Sequence, residues 1–209
     1  MSIQDDWAVA LIKLADLFGL TEPGIRHVGM VDARCRPRVL AAVQHLPMAL
    51  DRAGPIAQPI CEILLRLQHL LHWSQNPNYT DQDFLRGYAY CELVGPHGHI
   101  QHGELALGLL LLQPRITYPE HAHPAKETYL VLSGHAQWKQ GDGRWRARGP
   151  GDLITHASAE SHAMRTKTEP LLAAYLWQDH LDVGAHLLNP VLRGTRGISP
   201  TRKNHDPAQ

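Results

Sequence analysis

Residues 118–134 read YPEHAHPAKETYLVLSG, and the spacing of their polar side chains decides the fold. In a β-strand alternate side chains point the same way, so His121 and His123 share one face. Past the break at Pro124, so do Glu127, Tyr129 and Val131. Two imidazoles and a carboxylate therefore converge, with a phenol beside them. Neutral imidazole and carboxylate bind divalent first-row metals without thiolate, and three or four such ligands leave positions open for a substrate. The stretch predicts a metal site with a further ligand drawn from elsewhere in the chain. The alternative is a β-structure whose interior histidines are hydrogen-bonded core residues.

Outward from this stretch the chain is short strands between turns. Residues 105–113 have the look of a buried strand, followed by strands at 115–123, 127–132, 135–139, 145–147, 153–156, 161–165 and 171–178. Glycine turns at 141–143 (GDG) and 149–152 (GPGD) punctuate them, and such regular spacing predicts a β-barrel or jelly roll. The first ninety-odd residues read as helical instead. Trp7, Leu11, Leu14 and Phe18 make one helical face, with Asp5 and Asp6 in the first turn and Gly19 as a stop. A second helix is expected with Pro37 in its first turn and Val39, Val43, Leu46 and Leu50 on its face. The strongest helical pattern runs over 56–73, and Thr80 with Asp83 reads as a cap opening a short helix to about Cys91. His69 and His72 lie three apart with no third ligand nearby, and His97, His99 and His102 fall in a glycine-rich loop that reads as a surface connector.

Twenty basic and twenty acidic residues balance to zero charge, so nothing favours nucleic acid, an acidic partner or a charged membrane surface. Cys35, Cys61 and Cys91 are scattered and lack CxxC spacing, which fits buried thiols in a reducing compartment. The longest apolar run, residues 105–112, is too short to cross a bilayer, and no signal-peptide pattern opens the chain. The expectation is a cytoplasmic protein, with homodimers suggested by the amphipathic helices ahead of the barrel.

The pattern His121-x-His123, three residues, Glu127, six residues, Gly134 resembles the first signature of the cupin superfamily. GPGDLITHASAESHAMRT, from Gly149, resembles the second, whose lone histidine completes the site and falls here on His162. Arg115 stands where the first signature usually opens with glycine, and Ala157, Ala159 and Thr166 replace turn-forming positions of the second; none of these supplies a ligand. Four stretches, TYPEHAHPAKETYLVLSG, AQW, SHAMRT and EPLLAAYLW, resemble the cupin dimethylsulfoniopropionate lyases over about residues 95–177.

The patterns and the resemblance together predict an α+β chain: an N-terminal helical segment over 1–94 packing on the barrel or a partner subunit and a cupin jelly-roll β-barrel over 95–188, with the basic, polar composition from Asn189 predicting a mobile tail over 189–209. The resemblance implies one divalent transition metal (zinc, iron(II), manganese, cobalt or nickel) held by His121, His123, Glu127 and His162, and cleavage of dimethylsulfoniopropionate to dimethyl sulfide and acrylate with Tyr129 as base. Tyr118, Trp138, Tyr175 and Trp177 are candidates to wall the pocket and hold a sulfonium by cation–π contact. His135 and His156 are expected as structural residues or as groups that orient a ligand. The competing readings are a cupin oxygenase or isomerase with the same ligands, and a non-catalytic cupin that binds a small molecule.

Overall fold

The computed structural model describes residues 2–20 and 39–188. Pro37, Cys35 and the 189–209 tail lie outside the described residues.

Helix α1 (Ile3–Leu17) opens with a reciprocal cap, in which the Asp5 N–H donates to Ser2 Oγ at 3.2 Å and the Ser2 N–H donates to Asp5 Oδ2 at 2.8 Å. Its buried stripe, Trp7, Ala10, Leu11 and Leu14, packs on α3 (Gln58–Leu67). Arg66 of α3 clamps Asp6 with Nε and Nη2 at 3.0 and 2.7 Å, which fixes the crossing of the two helices. Between them in sequence, the expected helix over Val39–Leu50 breaks into a 3-10 turn (Ala41–His45) and a short α2 (Leu46–Asp51). Pro47 explains the break, because it has no N–H to bond back into the preceding turn. Val39 is exposed rather than on a packed face. No helix among the described residues is long and apolar enough to cross a membrane.

The rest is mostly β. One sheet orders β1 (Trp73–Ser74), β2 (Tyr88–Gly95), β4 (Leu105–Leu112), β11 (Leu171–Gln178), β6 (Lys126–Ser133) and β9 (Leu153–His156), with β3 (Ile100–Gln101) paired on β2. The second orders β12 (His186–Leu187), β5 (Thr117–Ala122), β10 (His162–Thr166), β7 (Ala136–Gln140) and β8 (Arg146–Arg148). The expected barrel is therefore a cupin-like pair of packed sheets, and their strands do not join into a closed cylinder.

Strand β4 shows how the layers sort. Leu107, Leu109 and Leu111 join the helical cluster, while Ala106, Leu110 and Leu112 join the cluster shared with the second sheet. Covered on both faces, it reads as an unbroken apolar run. The same alternation sends Glu127, Tyr129 and Val131 of β6 and Tyr175 of β11 between the sheets, leaving Leu130, Leu132, Leu172 and Ala174 to the helices.

Further expectations for the N-terminal half are corrected. The helix expected to run from Thr80 to Cys91 is only α4 (Gln82–Leu85), capped by Asp81 rather than Thr80, and Tyr88–Gly95 is a strand. The helix expected to reach Trp73 ends at Leu67 with a 3-10 extension to Leu70, and Trp73 begins β1. His99, read as part of a surface connector, is buried against Trp7 and His72, with ring centroids 4.7 and 4.3 Å away.

Candidate active site

Strand β6 and its neighbours build the site by register. Glu127 lies opposite Trp177 of β11 and His156 of β9, and Tyr129 lies opposite Tyr175 and Ile154. From the other sheet, β10 brings His162 alongside His121 of β5. His123 follows directly on β5, so the facing sheets deliver imidazoles onto one carboxylate.

His123, Glu127 and His162 form the compact set, all fully buried and with ligand atoms within 4.8 Å of one another. The Nδ1 atoms of His123 and His162 each lie 3.0 Å from a main-chain carbonyl, those of Ala125 and Glu160. A carbonyl only accepts, so each Nδ1 carries the hydrogen and each Nε2 presents a lone pair. Those lone pairs face Glu127 Oε2 at 2.9 and 3.2 Å, and His162 Nε2 has no hydrogen-bond partner. Three buried acceptors round one point require a cation or an added proton among them, and two imidazoles with one carboxylate suit a divalent metal. Burial pushes the Glu127 carboxyl pKa up; with His123 and His162 protonated at Nε2 as well, their hydrogen bonds and charge outweigh burial and hold the group well below the usual carboxylate range.

His121, the fourth expected ligand, is next to this set rather than within it. Its ring lies flat on Tyr118 at 3.9 Å and edge-on to His162 at 4.1 Å, and its Nδ1 lies 2.8 Å from the Pro119 carbonyl. Burial lowers its pKa well below the ordinary value. His156 stacks on His162 at 4.0 Å, with both ring nitrogens buried and without hydrogen-bond partners; burial drops its pKa to about 3. His135 is far more exposed and pairs at the surface with Glu169 at 2.8 Å.

Beside the histidine and carboxylate set opens a cavity of ≈ 630 Å³. Tyr118, Tyr129, Tyr175 and Trp177, four of the residues singled out in the sequence, line it. Trp177 does more than wall the cavity. Its ring stacks on His123 at 4.1 Å and its Nε1–H donates to Glu127 Oε1 at 2.5 Å, which leaves Oε2 for the histidines. Trp138 is placed differently: it is buried in the core between the sheets, 5.7 Å from the Tyr129 ring, and is not part of the cavity lining. Burial first, and then the Glu127 carboxylate, raises the Tyr129 phenol well above its ordinary pKa.

Sequence reasoning missed the contribution of β2 and its approach. Tyr88, Tyr90 and Glu92 line the cavity, and Tyr79 holds Tyr118 through a 2.8 Å contact between hydroxyls. The loop that rims the cavity after β11 is tied down at Ala185, whose carbonyl accepts from Asn76 and Asn78 at 2.9 and 3.0 Å. Alternation of Tyr88, Tyr90 and Glu92 with Ala89, Cys91 and Leu93 was the available signal.

The fold is a cupin-like pair of sheets that buries two histidines and a glutamate, a donor set that could hold a metal ion, at one end of an aromatic cavity. The chain belongs to the dimethylsulfoniopropionate (DMSP) lyase family, whose model matches residues 28–173. DddL of Cereibacter sphaeroides, which carries a dimethylsulfoniopropionate-lyase name, is 34% identical over 145 residues, 68% of this chain. The dimethylsulfoniopropionate lyase DddQ of Ruegeria pomeroyi is 36% identical over 109 residues, 52% of this chain. The matches span 60% and 54% of the lengths of those two relatives. Among solved structures, one described as the DMSP lyases RdDddP and RnDddQII superposes with a TM-score of 0.74 at 25% identity, covering 90% of this chain and 100% of that one. The Ruegeria pomeroyi DddQ crystal structure gives a TM-score of 0.75 at 24% identity over 90% of this chain and 98% of its own, which supports the fold.

Proposed function

We propose that the protein is a metal-dependent lyase that splits dimethylsulfoniopropionate into dimethyl sulfide and acrylate, with Tyr129 as the base. The observation that carries this reading is the placement of Tyr129 two residues from Glu127 on one strand face, lining an aromatic cavity beside the His123, Glu127 and His162 set. The family match and the names of the two curated relatives supply the substrate.

His123, Glu127 and His162 would hold the ion, with His121 alongside. Their donors accept zinc, iron(II), manganese, cobalt or nickel. When bound, a dication supplies Lewis-acid stabilisation of a substrate carboxylate and favours the phenolate of a nearby tyrosine. That second effect is needed here, because burial and the Glu127 charge alone hold the Tyr129 proton in place.

Tyr129 then takes the proton from the carbon next to the substrate carboxylate. The electron pair of that C–H bond becomes the double bond of acrylate, and the C–S pair leaves on sulfur as neutral dimethyl sulfide. The proton ends on the Tyr129 hydroxyl and the sulfonium charge is cancelled. Tyr118, Tyr175 and Trp177 wall the reacting cation with π faces and keep water from it. Trp138 backs the Tyr129 ring and limits its freedom.

Dimethyl sulfide in the headspace over purified, metal-loaded protein supplied with the substrate is the direct test. Tyr129→Phe is expected to retain metal and fold while losing dimethyl sulfide release by at least about a hundred-fold. Release near the wild-type rate removes Tyr129 as the base.

A further inference from the structure

The cavity carries more information about its ligand than the reacting end does. Among the described residues its lining contains no lysine or arginine; its acidic residues are Glu92, Glu127 and Asp182. A site for a plain anion would be expected to offer basic side chains, and a neutral ligand would leave the carboxylates uncompensated. Glu127 is already engaged by His123, His162 and Trp177. Glu92 is not so engaged: among the described residues no lysine or arginine pairs with it, and the His97 ring is its basic neighbour.

The sheet fixes where Glu92 stands relative to the base. Glu92 of β2 lies opposite Gly108 of β4, Gly108 opposite Tyr175 of β11, and Tyr175 opposite Tyr129 of β6. Three steps between neighbouring strands separate the two backbone positions by about 14 Å across the sheet. Gly108 supplies no side chain along that row, and the Tyr175 ring covers it: a Cβ built there would lie 2.5 Å from Tyr175 Cζ and Oη. The floor from Glu92 to Tyr129 is thus a bare strand and a tyrosine face.

The turn that follows β2 holds the Glu92 carboxylate in place. Its Oε1 accepts the His97 N–H at 2.7 Å, which aims the carboxylate while leaving its charge without a fixed cation. Burial raises its pKa, and the His97 N–H opposes that rise. A cation seated beside it would offset the remaining burial cost.

We propose that Glu92 is the anionic pole of the cavity and binds the onium end of a zwitterionic carboxylate, so that the cavity selects ligands carrying a compact alkylated cation over isosteres without the charge. This deepens the lyase reading and relies on it only for the identity of the natural substrate.

The test compares two ligands of nearly the same shape, 3-(trimethylammonio)propionate and 4,4-dimethylpentanoate, which differ in the charge of the central atom. Their dissociation constants are measured by calorimetry on metal-loaded wild type and Glu92→Gln. The glutamine keeps an acceptor for the His97 N–H, and a thermal melt of both proteins checks the fold. Wild type is expected to bind the ammonium ligand about ten-fold or more tighter than the neutral one, and Glu92→Gln to lose most of that preference while binding the neutral ligand unchanged. Equal binding of the two ligands by wild type, no binding of either, or an equal loss for both in the variant overturns the proposal. Dimethyl sulfide release by wild type is scored separately. Its absence removes the lyase reading, while the ligand pair still decides the role of Glu92.

Discussion

Replacing Trp177 with phenylalanine separates the two things this residue does. The phenyl ring keeps the stacking on His123, seen at 4.1 Å, but the indole N–H that donates to Glu127 Oε1 at 2.5 Å is gone. Glu127 is 1% exposed, so water does not replace the lost donor, and Oε1 becomes an unsatisfied carboxylate oxygen. Hydrogen bonds to charged groups contribute roughly 1.5–3 kcal/mol, and groups that orient metal ligands typically account for about 10–100-fold in affinity. Trp177→Phe should therefore bind a divalent ion about ten-fold or more weakly than wild type. Metal-stripped protein titrated against a chromophoric zinc chelator reads that number directly, and the melting temperature of the stripped protein controls for general loss of fold. Zinc affinity within two-fold of wild type, with the fold intact, would show that Glu127 is oriented without the indole and that the ligand set does not work as described.

The period-two alternation of residues 118–134 was enough to place Glu127 and Tyr129 on one face and to make His123 a ligand candidate. Strands 153–156 and 171–178 appear with the bounds read from the sequence, because turn residues bracket each. Alternation could not reveal what covers a face. β2 buries apolar or aromatic side chains in both directions, which weakens its period, and the cap read at Thr80 and Asp83 drew the helix too far. With β2 lost, the cavity walls from Tyr88, Tyr90 and Glu92 were lost too, since they reach the site only because β2 pairs with β4. Trp138 shows the same limit from the other side. It points inward as its parity requires, but Tyr129 stands over it and its strand, β7, pairs between β10 and β8 of the second sheet. His99 sat among glycines and prolines, a composition that signals exposure; the helix layer, which covers it through Trp7, is a tertiary contact no local pattern encodes.

Two further perturbations probe the scaffold. Gly108→Ala adds a methyl that meets the Cys91 carbonyl oxygen at 2.3 Å and Tyr175 Cζ at 2.5 Å; it should cost about 1–3 kcal/mol in urea denaturation and displace Tyr175, whereas an unchanged midpoint would mean the ring yields freely. The buried His99 gives a pH dependence with a defined sign. Its Nε2 accepts the His72 main-chain N–H at 3.3 Å, and burial, reinforced by the His72 charge, drops its pKa to about 4. The unfolded chain, with an ordinary imidazole pKa of about 6.5, takes up the proton first, so stability attributable to His99 is present above pH ~6.5 and declines as pH falls towards ~4. Over that window the loss should be on the order of 2 kcal/mol. His99→Phe keeps an aromatic ring against Trp7 and His72 but has no proton to gain, so its urea midpoints at pH 7.5 and pH 5 should lie closer together than those of wild type. Equal pH shifts in the two proteins would mean that His99 is protonated as readily in the folded chain as in the unfolded one, and that the contact between α1 and the sheet is not where acid acts.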